Sequence, residues 1–115
     1  MAVSWDEVVA FALTLPGTEL ASFYGDMVPK VRGKAFVSRG REPDSFALRV
    51  PLDEVEMLKE IDPACFWQTP HYEGWPCVLA RFATADRERI LALVERAWAA
   101  RASKAQCAER AAAAT

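Results

Sequence analysis

Apolar positions along the chain fall into two rhythms. Trp5, Val8, Val9, Ala12 and Leu13 recur at helical spacing and form one stripe. Ser4 stands three residues before Glu7, a capping-box start in which the Ser4 hydroxyl accepts from the Glu7 N–H. Leu15-Pro16-Gly17 ends that helix, because Pro16 biases Leu15 away from the α region and Gly17 permits a turn. Glu19 to Gly25 reads as a short strand closing at Tyr24-Gly25-Asp26. Met27–Val31 and Lys34–Arg39 then make a hairpin about Arg32-Gly33, and Gly40 to Asp44 is a polar loop. Ser45–Val50 alternates, placing Phe46, Leu48 and Val50 on a covered face and Ala47 and Arg49 on the other.

Helical spacing returns after Pro51. Leu52, Val55, Leu58 and Ile61 turn inward, Asp53, Glu54, Glu56 and Glu60 face water, and Asp62-Pro63 stops the helix. Cys65–Thr69 and Trp75–Phe82 read as a second hairpin joined by the loop from Pro70 to Gly74. Thr84-Ala85-Asp86 caps a long last helix with Ile90, Leu91, Val94, Ala97 and Trp98 as its apolar face. The order is α-β-β-β-α-β-β-α. It predicts an α+β fold, with an antiparallel sheet of about five strands covered on one face by helices.

Composition changes this picture little. A chain of 115 residues suits one domain, and 52% apolar content with four Trp and six Phe supports a core without staples. Residues 1–104 carry the pattern of that domain, and the Ala-rich residues 105–115 read as a helix extension that frays. No apolar run nears the ~20 residues of a membrane span. The first residues lack a basic n-region and an apolar h-region, so a cytoplasmic location is expected. Cys65, Cys77 and Cys107 are odd in number and without CxxC spacing, which fits reduced, mostly buried thiols.

Charge adds the one candidate site. Lys30, Arg32, Lys34, Arg39 and Arg41 fall within residues 30–41, where there is no acid, although the net charge of the chain is −2. If strand pairing continues through the turn, Lys30, Arg32 and Lys34 share one face, with Arg39 and Arg41 near the open end. Three readings stay open. A basic two-stranded ribbon suits DNA phosphates and guanine edges. The same strip suits an anionic small ligand or an acidic protein. It also suits a solvated face paired with the acidic helix around Glu54 and Glu56.

Other candidate chemistry is thinner. His71 and Glu73 sit in one loop without a third group to complete a catalytic set, so no catalytic residue is assigned and the chain reads as non-enzymatic. Cys65, His71 and Cys77 are evenly spaced, but a hairpin turning at His71 holds His71 away from two neighbouring cysteines, so no metal or cofactor is expected. Trp5 and Trp98 stand at core spacing. Trp67, Tyr72 and Trp75 border the second loop, where they cap the open end of the core or stack bases.

Trp5 in the opening helix, Leu15-Pro16-Gly17, Tyr24-Gly25, the run Val31-Arg32-Gly33-Lys34-Ala35-Phe36, Trp75 and the last helix together resemble the MmcQ/YjbR-like family, over about residues 4–104. That resemblance implies a CyaY-like fold with two winged hairpins. It further implies a DNA-binding role without catalytic residues, which would use the basic hairpin.

Overall fold

In the computed structural model, which describes residues 3–42 and 44–114, the first helix starts where the sequence places its cap. The Ser4 hydroxyl accepts from the Glu7 N–H at 3.2 Å and α1 spans Trp5–Ala12. Leu13, expected in the apolar stripe, is instead its C-cap and stands 41% exposed, because the helix ends at Ala12. β1 (Thr18–Phe23) and β2 (Asp26–Val31) follow, with Phe23 opposite Asp26. Tyr24 and Gly25 both have positive φ, 50° and 84°, the type I′ signature that suits two-residue hairpins. Arg32 and Gly33 repeat it at 54° and 76° between β2 and β3 (Lys34–Ala35). The short strand expected before Tyr24-Gly25 is therefore a six-residue strand of the first sheet.

The strand expected over Lys34–Arg39 is two strands. Phe36 and Val37 are consecutive and only 1% and 2% exposed. A pleated strand sends neighbours to opposite faces, so it cannot bury both in one core. The backbone bends at Phe36. β3 stays on β2, while β4 (Val37–Arg39) crosses to pair with β5 (Ser45–Arg49). In place of one sheet of about five strands there are thus two antiparallel sheets. Their orders are β1-β2-β3 and β4-β5-β7-β6, with β6 at Phe66–Trp67 and β7 at Cys77–Arg81. The class remains α+β.

Register assigns the faces of the second sheet. Val37 lies opposite Leu48, Phe46 opposite Ala80, and Leu48 opposite Val78, all turned to the helices. There α1, α2 (Leu52–Ile61) and α3 (Arg87–Arg101) close a core containing Val8, Val55, Ile90, Val94 and Trp98. The Trp98 indole N–H donates to the Pro16 carbonyl at 3.0 Å, so even the polar edge of this 1%-exposed ring is satisfied. Val55 and Leu58 are buried, but Leu52 and Ile61, the first and last residues of α2, are exposed, so only its middle turns inward as expected. On α3, Leu93 rather than Leu91 joins the core.

The last helical region is also two elements. Ala102 and Ser103 interrupt it, and α4 spans Lys104–Ala114. The Ser103 N–H donates to Gln106 Oε1 at 2.8 Å and the Gln106 N–H to Ser103 Oγ at 3.1 Å, a reciprocal capping box. Arg110 on α4 pairs with Glu95 on α3. Among the described residues, no helix is long and apolar enough to cross a membrane.

Candidate functional site

The five cations of the strip separate into two groups. Lys30 on β2 lies opposite Glu19 and Ala35, whereas Lys34 on β3 lies opposite Val31. Residues facing each other across strands share a face, so Lys30 and Lys34 point to opposite sides and the expected common face does not form. The two-residue turn is the cause: Val31 and Lys34 flank it as a pair, and counting by twos fails across it. Arg32 sits exposed in that turn. Lys30 Nζ stands 5.7 Å from the Phe23 ring centroid.

Arg39 and Arg41 belong elsewhere. β4 carries Arg39 to Asp26, where Nε meets Oδ2 at 3.5 Å, and its guanidinium lies 5.4 Å from the Trp5 ring. Together with Arg41 it lines a cleft of about 780 Å³ between the first hairpin and the second sheet. The hairpin contributes Phe23, Tyr24, Asp26 and Val28, and β5 contributes Ala47 and Arg49. His71, Tyr72, Trp75 and Cys77 come from the loop before β7 and its first residue. Lys30, Arg32 and Lys34 do not line it. Ala47 is 5% exposed, so the second face of β5 is covered too, contrary to the expectation of one covered face.

Arg49 is the cleft residue that sequence reading missed as a candidate. The alternation of Ser45–Val50 places it opposite the core, but nothing in the sequence says that this face lies under the hairpin. Its cross-strand partner is Cys77, while Cys65 at the other end of β7 has its carbonyl bonded by the Arg81 N–H at 3.0 Å. The two cysteines are therefore not neighbours, as the antiparallel register sets Cys65, just before β6, beside the Arg81 end of β7 and Cys77 at its start. Burial pushes the Cys77 thiol up to about 11, with Arg49 pulling it partway back. Burial likewise raises the Tyr72 hydroxyl, Cys77 adds to the rise, and Arg41 opposes it. Both groups stay neutral at pH 7. Asp26, already matched by Arg39, is then the sole acid among the cleft residues.

Two aromatics at this cleft are open. Tyr24, at the hairpin tip, is 95% exposed and meets Phe23 edge-on at 4.7 Å. Trp75 is 58% exposed, with the His71 ring within 18° of parallel to it and centroids 6.3 Å apart. Trp75 therefore does not cap the core. Trp67 is covered instead by the Arg81 guanidinium, 4.1 Å from its centroid. Gln68 positions the loop. Its Nε2 donates to the carbonyls of Tyr72, Trp75 and Cys77 at 2.9, 3.2 and 2.8 Å, and its Oε1 accepts from Lys59. His71 and Glu73 are both exposed, and only His71 reaches the cleft.

Ion pairing separates the two sides of the molecule. Arg96 pairs with Glu54, Lys59 with Glu56, Arg89 with Asp62, Arg87 with Glu7 and Arg81 with Glu42. The acids around Glu54 and Glu56 are thus taken by the helices' own cations, which overturns their pairing with the strip. Lys30, Arg32, Lys34, Arg41 and Arg49 make no ion pair among the described residues. A smaller hollow of about 550 Å³ lies between β5, α2 and α3, but the Arg96–Glu54 pair sits in its wall.

The YjbR family model matches residues 13–100, and the chain belongs to that family. The matched span runs from the end of α1 through most of α3 and includes every residue of the cleft. No curated protein and no solved structure matches the chain.

Proposed function

We propose that this chain is a non-enzymatic DNA-binding protein that holds the phosphate backbone on Lys30, Arg32, Lys34, Arg41 and Arg49. One observation carries the reading. Among the described residues seven cations lack ion pairs, these five together with Arg101 and Lys104, while Arg39 and six cations on and around the helices have them, so most of the unmatched positive charge lies on the hairpin side of a chain whose net charge is −2. Unmatched surface cations release counterions from phosphate without first breaking a protein ion pair. The three free cysteines suit a reducing, cytoplasmic setting.

With about four phosphates neutralised, log K falls against log salt with a slope of roughly −3.6, which supports modest affinity at physiological salt. The test is an anisotropy titration on duplex DNA over a salt series. Lys30/Arg32/Lys34→Ala is expected to weaken binding and to flatten the slope by about 1.8, since Lys30 and Lys34 face opposite sides and two of the three can meet one backbone together. Wild type and variant binding alike would remove the hairpin from the interface. A second reading, a module for an anionic small ligand or an acidic protein, draws on the concave cleft. Absence of any DNA affinity, with a melting shift on adding an anionic ligand, would favour it.

A further inference from the structure

We infer that the cleft between the first hairpin and the 70–76 loop takes an unpaired nucleobase with its flanking phosphates, so that the protein prefers single-stranded DNA to duplex. This rests on the DNA-binding reading and specifies what the cleft adds to it.

Shape supports the inference first. A cleft of about 780 Å³ lies within the ~300–1,000 Å³ typical of sites that enclose a small planar ligand. Its walls are a β-hairpin tip and a loop, so a base still stacked and paired inside a duplex is kept outside. A base on a single strand can turn in.

The lining residues supply both parts of a nucleotide's chemistry. Single-strand binders combine a positive groove along the backbone with aromatic faces on which bases stack. Tyr24 and Trp75, 95% and 58% exposed, offer such faces, while Phe36 and Trp98 are hidden at 1% each. His71 lies nearly parallel to Trp75 with ring centroids 6.3 Å apart, an offset stack of the kind a base can join. Arg41 and Arg49 bring unmatched charge to the same cleft, and its one acid, Asp26, is already held by Arg39. The neutral Tyr72 hydroxyl and Cys77 thiol add no repulsion toward phosphate.

The loop is also set in advance. Gln68 bonds two of its carbonyls and that of Cys77 at the start of β7, and is itself held by Lys59, so little ordering remains to be done on binding.

Anisotropy titrations at low salt with a fluorescein-labelled oligothymidylate of about 12 nucleotides, a mixed-sequence duplex of about 12 base pairs, and unlabelled thymidine monophosphate as competitor test this. Wild type is expected to bind the single strand roughly tenfold tighter than the duplex, with the mononucleotide competing poorly. Tyr24→Ala and Trp75→Ala are each expected to lose roughly tenfold on the single strand and little on the duplex, while Trp75→Phe retains most of the affinity. Tyr24 touches little of the fold, so an unchanged melting temperature for Tyr24→Ala guards against misfolding. Equal affinity for single strand and duplex, or no loss in either alanine variant, would overturn the inference. So would thymidine monophosphate competing as well as the oligonucleotide. Duplex binding that still falls in Lys30/Arg32/Lys34→Ala would then leave the DNA-binding reading standing. No affinity for either polymer would remove both.

Discussion

Trp98 and Tyr24 represent the two sides of this molecule. Trp98 is buried beneath α1 and the sheet with its N–H bonded to Pro16, whereas Tyr24 stands in solvent at a hairpin tip. The cations divide in the same way. On the helix side Arg87, Arg89 and Arg96 each meet a carboxylate, and on the hairpin side Arg32, Lys34, Arg41 and Arg49 meet none among the described residues. Similar residue types are satisfied internally in one region and left available in the other. An unfilled aromatic face and an unmatched guanidinium add little to folding, so their gathering in one cleft supports the proposed nucleic-acid site.

The largest test of this contrast is the pair Trp98→Ala and Tyr24→Ala. Removing the buried indole leaves a cavity and an unpaired Pro16 carbonyl, and is expected to lower unfolding free energy by about 3–5 kcal/mol. Removing Tyr24 is expected to change it by less than about 0.5 kcal/mol. Urea denaturation followed by circular dichroism reads both, and similar losses in the two would erase the distinction.

Gly40 lies where the two sides meet, between Arg39 and Arg41. A Cβ there would stand 2.1 Å from Ser45 Oγ and 3.1 Å from Ser45 Cβ, and Ser45 is 2% exposed with its hydroxyl bonded to the Glu42 carbonyl. Gly40→Ala is therefore expected to cost about 1–3 kcal/mol through overpacking. It should also displace Arg39 and Arg41 and weaken the proposed binding to DNA. Full stability by thermal melting would show that this junction yields easily.

The smallest effect compares a matched cation with an unmatched one. Arg96→Ala is expected to lose up to about 1 kcal/mol, since its pair with Glu54 is partly exposed. Arg49→Ala should be neutral or slightly stabilising, because Arg49 repels Arg101, whose own charge is disfavoured first by burial and then by Arg49. A clear loss in Arg49→Ala would mean that this residue serves the fold.

The elements were legible where chemistry is local. Ser4 and Glu7 announced α1, Arg32-Gly33 announced a hairpin, and the alternation of Ser45–Val50 assigned the faces of β5. Tyr24-Gly25 carried the same turn information as Arg32-Gly33 and was open to the same reading. Ser103-Lys104-Ala105-Gln106 spelled the capping box of α4. Phe36-Val37 was less readable, because two adjacent apolar residues suit a strand until both must enter one core.

For the candidate site the division is sharper. By itself the sequence determined the α+β class, the family, and a run of cations with no acid inside it, since periodicity, turn chemistry and charge are properties of neighbouring residues. Only the tertiary structure decided which cations act together. The bend at Phe36 sends Arg39 and Arg41 away from Arg32 and Lys34, toward Arg49, Tyr24 and Trp75. Those partners come from a hairpin tip, a central strand and a loop, and no spacing along the chain encodes the packing of one sheet against another.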